Sequence, residues 1–150
     1  MPLNILFFNS LLLATCGYAA WRGGLPERYV AASLFVAAMA TLVTISPYST
    51  RFVGVEYGVL VVDSALLVVL VAIALHANRY WPLALASLHL ASLVAHFGKL
   101  LDYSMGGWGY AFLLKLWAYP MLLTLVIGTI RHRRRVSQFG VDRSWSTFNG

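Results

Sequence analysis

Trp81-Pro-Leu-Ala-Leu-Ala-Ser-Leu-His89-Leu-Ala-Ser92-Leu-Val-Ala-His96-Phe-Gly-Lys99-Leu-Leu101 is the stretch whose reading decides the fold. It is mostly apolar and long enough to cross a bilayer as a helix. Yet it carries two histidines and a lysine. His89, Ser92, His96 and Lys99 fall at i, i+3, i+7 and i+10, which is one stripe of a helix. Lipid does not tolerate such a stripe, so it must face other helices. The rest of the chain has to supply them.

Composition agrees. Of the 150 residues, 60% are hydrophobic and 11% charged, against about a quarter charged in a soluble domain. The apolar residues are gathered in long runs, as in multi-spanning membrane proteins. A single Cys excludes an internal disulfide and a paired-Cys metal site. The net charge of +6 suggests nucleic acid at first sight, but charge placement along the spans accounts for it. We therefore expect no nucleic-acid partner.

Outward from that stretch, the hydropathy predicts five transmembrane helices, over residues 3–21, 29–45, 57–76, 82–101 and 108–130. The first has no basic residue before it, unlike a secretory signal. Leu13-Ala14-Thr15-Cys16 resembles a lipoprotein cleavage site, but without that basic region Cys16 reads as a packing residue. Gly23, Gly24 and Pro26 mark the first turn and Pro47 the second. Ser33, Ala37 and Thr41 give the second helix a small-xxx-small packing face, and Gly54 and Gly58 make a weak GxxxG at the edge of the third. Pro82 opens the fourth helix. Pro120 should kink the fifth. Residues 136–150 are polar and read as a mobile cytoplasmic tail, and deleting residues 137–150 should leave insertion and stability unchanged. Trp21, Tyr29, Tyr48, Tyr80, Trp81, Tyr103 and Trp108 fall near helix ends, as an interfacial aromatic belt does.

Loop charges give an orientation. Arg22, Arg28, Arg79 and the tail arginines share one side, and Arg51 and Lys99 the other. The positive-inside rule then places the N-terminus outside and the C-terminus in the cytoplasm. Depth follows from orientation. At ~1.5 Å per residue, Asn9, Asp63, His96 and Lys115 lie roughly 7–11 Å below the outer helix ends. We expect these four to form an intramembrane polar cluster, with an Asp63–Lys115 ion pair and His96 bonded to one of them. Glu56, Lys99 and Asp102 would form a wetter outer layer. His89 lies near mid-membrane, level with Tyr119. The plainer reading of the cluster is glue that fixes which helices meet. The functional one is a proton or ion path.

No GxSxG, HExxH, P-loop or paired-carboxylate motif is present, and no catalytic residue is assigned. His89 and His96 stand ~10.5 Å apart along one helix and cannot chelate one ion. No metal site is expected, and haem enters only through axial ligation by a single His. Arg131, Arg133, Arg134 and Arg135 read first as the positive-inside anchor and second as contacts to anionic lipid.

The order Arg79-Tyr80-Trp81-Pro82-Leu83, His89, Ala95-His96-Phe97-Gly98-Lys99 and Leu116-Trp117-Ala118-Tyr119-Pro120, closed by Arg131-His132-Arg133-Arg134, resembles small multi-spanning inner-membrane proteins of bacteria. The likeness runs from about residue 12 to 135. It implies inner-membrane placement and carries over no function and no site. The expected role is a non-catalytic accessory or structural subunit, with a membrane-protein partner or further copies of itself. The alternative is an oligomeric proton, ion or small-solute transporter, and the third a haem-binding redox subunit.

Overall fold

A computed structural model describes residues 3–47, 49–102, 104 and 106–145. Among them six helical segments follow one another: α1 (Leu3–Arg22), α2 (Leu25–Thr44), α3 (Tyr57–His76), α4 (Trp81–Leu101), α5 (Gly107–Leu116) and α6 (Ala118–Phe139). α5 and α6 form one 33-residue rod, Gly107–Phe139. That rod, α2, α3 and α4 are each long and apolar enough to cross a membrane. α1 has the same 20-residue length as α2 and α3.

The helices run up and down. Each packs on the next in the chain, and α6 closes the bundle against α1 and α4. Leu12, Val30, Leu66, Leu70, Leu85 and Leu125 meet at the centre. Interior hydroxyls bond their own helices: Ser92 donates to the His89 carbonyl at 2.7 Å and Thr129 to the Leu125 carbonyl at 2.9 Å. Such back-bonding satisfies a polar group where no water reaches. Cys16 is buried in the same core.

The rod breaks at Trp117, one turn before Pro120. Proline has no N–H for the Leu116 carbonyl, and its ring crowds that carbonyl. The break thus falls where Pro120 disturbs the preceding turn. Beyond it the helix runs past residue 130 to Phe139 and ends on Gly140, at φ 75°. Only glycine takes that left-handed cap freely.

Two sequence expectations change here. Trp81 is buried and does not belong to the aromatic belt. A Cβ on Gly128 would lie 2.8 Å from its indole, so α4 and α6 touch through ring and bare backbone. Trp21, Tyr29, Tyr80 and Trp108 are exposed near helix ends, while Tyr48 and Tyr103 lie outside the described residues. The segment after Arg135 is also attached. It continues α6, turns at Gly140 and comes back to the α3–α4 turn, where the Asn78 N–H donates to the Ser144 carbonyl at 3.3 Å. Residues 146–150 of the expected tail lie outside the described residues.

Candidate functional site

Two polar networks lie at opposite ends of the bundle. The first grows from the α4 stripe. His89, Ser92, His96 and Lys99 are all buried, with His96 fully so. His96 Nε2 donates to Asp63 Oδ2 on α3 at 3.1 Å. The Tyr110 hydroxyl, on α5, donates to His96 Nδ1 at 2.7 Å and accepts the Glu56 N–H at 3.3 Å. His89 Nε2 donates to the Asp63 main-chain carbonyl at 2.8 Å. Assigned from these partners, His96 carries its proton on Nε2 and accepts on Nδ1, and His89 carries a proton on Nε2. Within this relay the Tyr110 hydroxyl and the His96 Nε2–H each meet an acceptor.

Glu56 anchors the loop above. Its carboxylate accepts the Ser46 N–H at 3.0 Å and the Phe52 N–H at 2.7 Å. Burial works to raise its pKa, but these donors and the Arg51 charge outweigh it and hold the carboxyl below its usual range. Phe52 stands at φ 63°, a left-handed conformation that non-glycine residues rarely adopt. Its ring sits edge-on to Tyr110, 5.9 Å between centroids. The surrounding contacts hold it there.

Of the four residues expected to converge, Asp63 and His96 meet and the other two stand apart. Lys115 is exposed on the outer side of α5 and pairs with no described residue. The reason is helical phase. Tyr110 is the inward residue of α5, and five residues later the helix has turned to about 140° away. Asn9 is half-buried on α1, which packs on α2 and α6. In the outer layer Lys99 is buried, whereas Asp102 is exposed and accepts the Ser104 N–H at 2.8 Å. Hydrogen bonds from Ser104 lower its pKa. Tyr119 packs edge-on against Phe8, 5.6 Å between centroids.

The second network was not anticipated. Arg79, in the α3–α4 turn, pairs with Glu27 on α2 and with Asp142 at 2.7 Å. Asp142 also accepts from His132 at 2.6 Å and from Arg135 at 2.9 Å, both on α6. Burial alone would raise the Asp142 carboxyl. The Arg135 and His132 donors and the Arg79 charge overcome that and hold it below its ordinary value. Glu27 is fully buried. The α1–α2 turn reaches it closely: a Cβ on Gly24 would lie 2.9 Å from the His132 ring and 3.1 Å from a Glu27 oxygen.

Of the arginines read as lipid contacts, Arg135 is thus drawn inward. Arg131 and Arg135 line a cleft of about 300 Å³ with Arg79 and Arg143. Arg133 lines a second, of about 410 Å³, with Arg22 and Arg28. Arg134 is exposed.

No family model, curated protein or solved structure matches this chain.

Chemically, the first network is a chain of hydrogen bonds, ending on the Asp63 carboxylate, that ties α3, α4, α5 and the α2–α3 loop together. Neither imidazole is set up as an axial haem ligand. Both Nε2–H groups point at Asp63, and His96 Nδ1 accepts from Tyr110. Among the described residues, no three His, Cys, Asp or Glu side chains gather to hold a metal ion.

A signal for the second network did exist. The chain has only five acidic residues. In so apolar a chain each needs a partner, and Glu27 and Asp142 are the two that depth counting leaves aside. Tyr110 gave no such signal.

Proposed function

We propose that this protein is a small multi-pass subunit of the bacterial inner membrane, built of five spans, with its N-terminus outside and its C-terminus in the cytoplasm. It acts through helix contacts with a larger membrane protein and carries out no catalysis of its own. The observation that carries this reading is Lys115. The polar side chains of the first network are spent on one another within the chain, whereas Lys115 sits exposed on the outer face of a span. A lysine in the hydrocarbon core costs on the order of 2.5–3.5 kcal/mol. A carboxylate or polar group on a partner helix offsets that cost. The orientation draws support from Arg22, Arg28, Arg79 and the α6 arginines, which gather at one end of the bundle around the two basic clefts.

The test is a photo-crosslinking amino acid at position 115 in intact membranes. We expect one adduct with a larger membrane protein, and none from position 110, which faces inward. Adducts with lipid alone would sink the subunit reading. Adducts with a second copy of this chain would favour an oligomer.

One observation supports a second reading, an oligomeric proton-conducting protein. Tyr110, His96 and Asp63 form a continuous relay, hydroxyl to imidazole to carboxylate. Such a relay can hand one proton from the phenol through the imidazole to the carboxylate, and each further passage needs the phenol reprotonated and the His96 proton returned to Nε2. Lys115 stands outside it. Proton flux into liposomes that is abolished in His96→Phe would establish this reading over the first.

A further inference from the structure

Asp142 enters the arginine cleft as a carboxylate among cations. It does not saturate them. Arg79, Arg131, Arg135 and Arg143 all line the cleft, and among the described residues Asp142 is the one acidic residue that does. Arg79 and Arg135 bond it, while Arg131 and Arg143 are exposed and pair with no described residue. Three buried N–H donors on residues of this cleft also have no acceptor among the described residues, Arg79 Nε, Arg135 Nη2 and Trp81 Nε1, against one unpaired buried acceptor, Oε2 of the Glu27 that pairs with Arg79 behind the cleft. The Arg79 side chain is 4% exposed. Buried donors in folded proteins are nearly always satisfied, by protein or by something bound. Their concentration at one cleft marks a place built for further acceptors.

From this we infer that the cleft between the α3–α4 turn, α6 and the Asp142 segment binds a phosphate-class anion, with Asp142 as its built-in partial occupant. A carboxylate offers two oxygens, and Asp142 already spends both. A phosphate or phosphodiester brings further acceptor oxygens and at least one more negative charge, which planar guanidinium forks match best. The cleft volume admits such a group. Tyr80, 91% exposed, stands on its rim with Asn78. This inference does not depend on the protein's role as a subunit.

The phosphate has two sources, free anion or lipid headgroup, and two measurements separate them. The full chain is reconstituted in nanodiscs of phosphatidylcholine and phosphatidylglycerol, and lipid retention is read by native mass spectrometry. In parallel, melting in neutral detergent is followed with and without inorganic phosphate. The test variant is the double substitution Arg131→Gln, Arg143→Gln, which leaves the Asp142 pairs intact. The control is Arg133→Gln, Arg134→Gln, which removes equal charge from α6 outside the cleft. We expect phosphatidylglycerol retention to fall on the order of tenfold or more in the test variant and to change little in the control. Stabilisation by inorganic phosphate that the test variant loses identifies free phosphate as a sufficient ligand. Loss in the lipid arm alone identifies the headgroup. Equal losses in test and control, or no difference from the parent protein in either arm, would overturn the site.

Discussion

The Tyr110 hydroxyl lies 2.7 Å from His96 Nδ1, at the end of α5 nearest the Glu56 loop. Because that hydroxyl accepts the Glu56 N–H, its proton is free to point at the imidazole. His96 therefore keeps its own proton on Nε2 and gives it to Asp63. One phenol thus sets the tautomer of a histidine that holds two further elements together.

The first prediction concerns that pair. Asp63→Ala and His96→Ala should each destabilise the protein in detergent, by about 1–3 kcal/mol, because each leaves a buried polar group unpaired. A double-mutant cycle should give a coupling of about 0.5–3 kcal/mol. The same cycle between Asp63 and Lys115 should give about zero. A sizeable Asp63–Lys115 coupling would show that α5 is turned the other way.

Lys115→Leu should leave the melting temperature of the purified protein unchanged or slightly raised, since Lys115 is exposed and pairs with no described residue. A surface change of this kind stays within about 0.5 kcal/mol. In membranes the proposed subunit role predicts that the same substitution reduces co-purification of a larger membrane protein with the chain. Clear destabilisation of the isolated protein would place Lys115 inside the bundle.

Asp142→Ala should destabilise strongly, on the order of 3 kcal/mol, because it leaves the buried Arg79 short of an anion. Truncation after Gly140 should do the same. Thermal melting reads both, and an unchanged melt would mean that the segment does not pack.

The Asp142 network also predicts a pH dependence. The folded pKa of Asp142 lies below its unfolded value. Its contribution is therefore complete above the ordinary aspartate range, near ~3.9, and is lost as pH falls through the lower folded value. Arg79, Arg135 and His132 face it directly, and Glu27 shares Arg79. Melting below pH 4 should show a steeper loss in the parent protein than in Asp142→Asn. Parallel curves would remove Asp142 as the titrating group.

Gly128→Ala should cost about 1–3 kcal/mol through overpacking against the Trp81 indole. Trp81→Leu in the same chain should recover part of the loss. Melting of the single and double variants tests this, and a neutral Gly128→Ala would mean that α4 and α6 stand further apart.

The sequence by itself determined the helices and which face of α4 is buried. Apolar runs of span length, ended by Gly, Pro and Arg, leave little choice of element, and a stripe of His89, Ser92, His96 and Lys99 cannot face lipid. It also located the disturbance at Pro120, because a missing N–H acts on the adjacent turn. Partner choice was decided by tertiary structure alone. Counting residues gives depth along a helix, but rotation about its axis depends on which neighbours it packs against. Lys115 and Tyr110 lie on one short helix, and the phase of that helix put the phenol, not the ammonium, beside His96. The Glu27–Arg79–Asp142 network joins residues 52 and 63 positions apart. No local pattern links them, since their meeting depends on α6 running on to Gly140 and turning back across the end of the bundle.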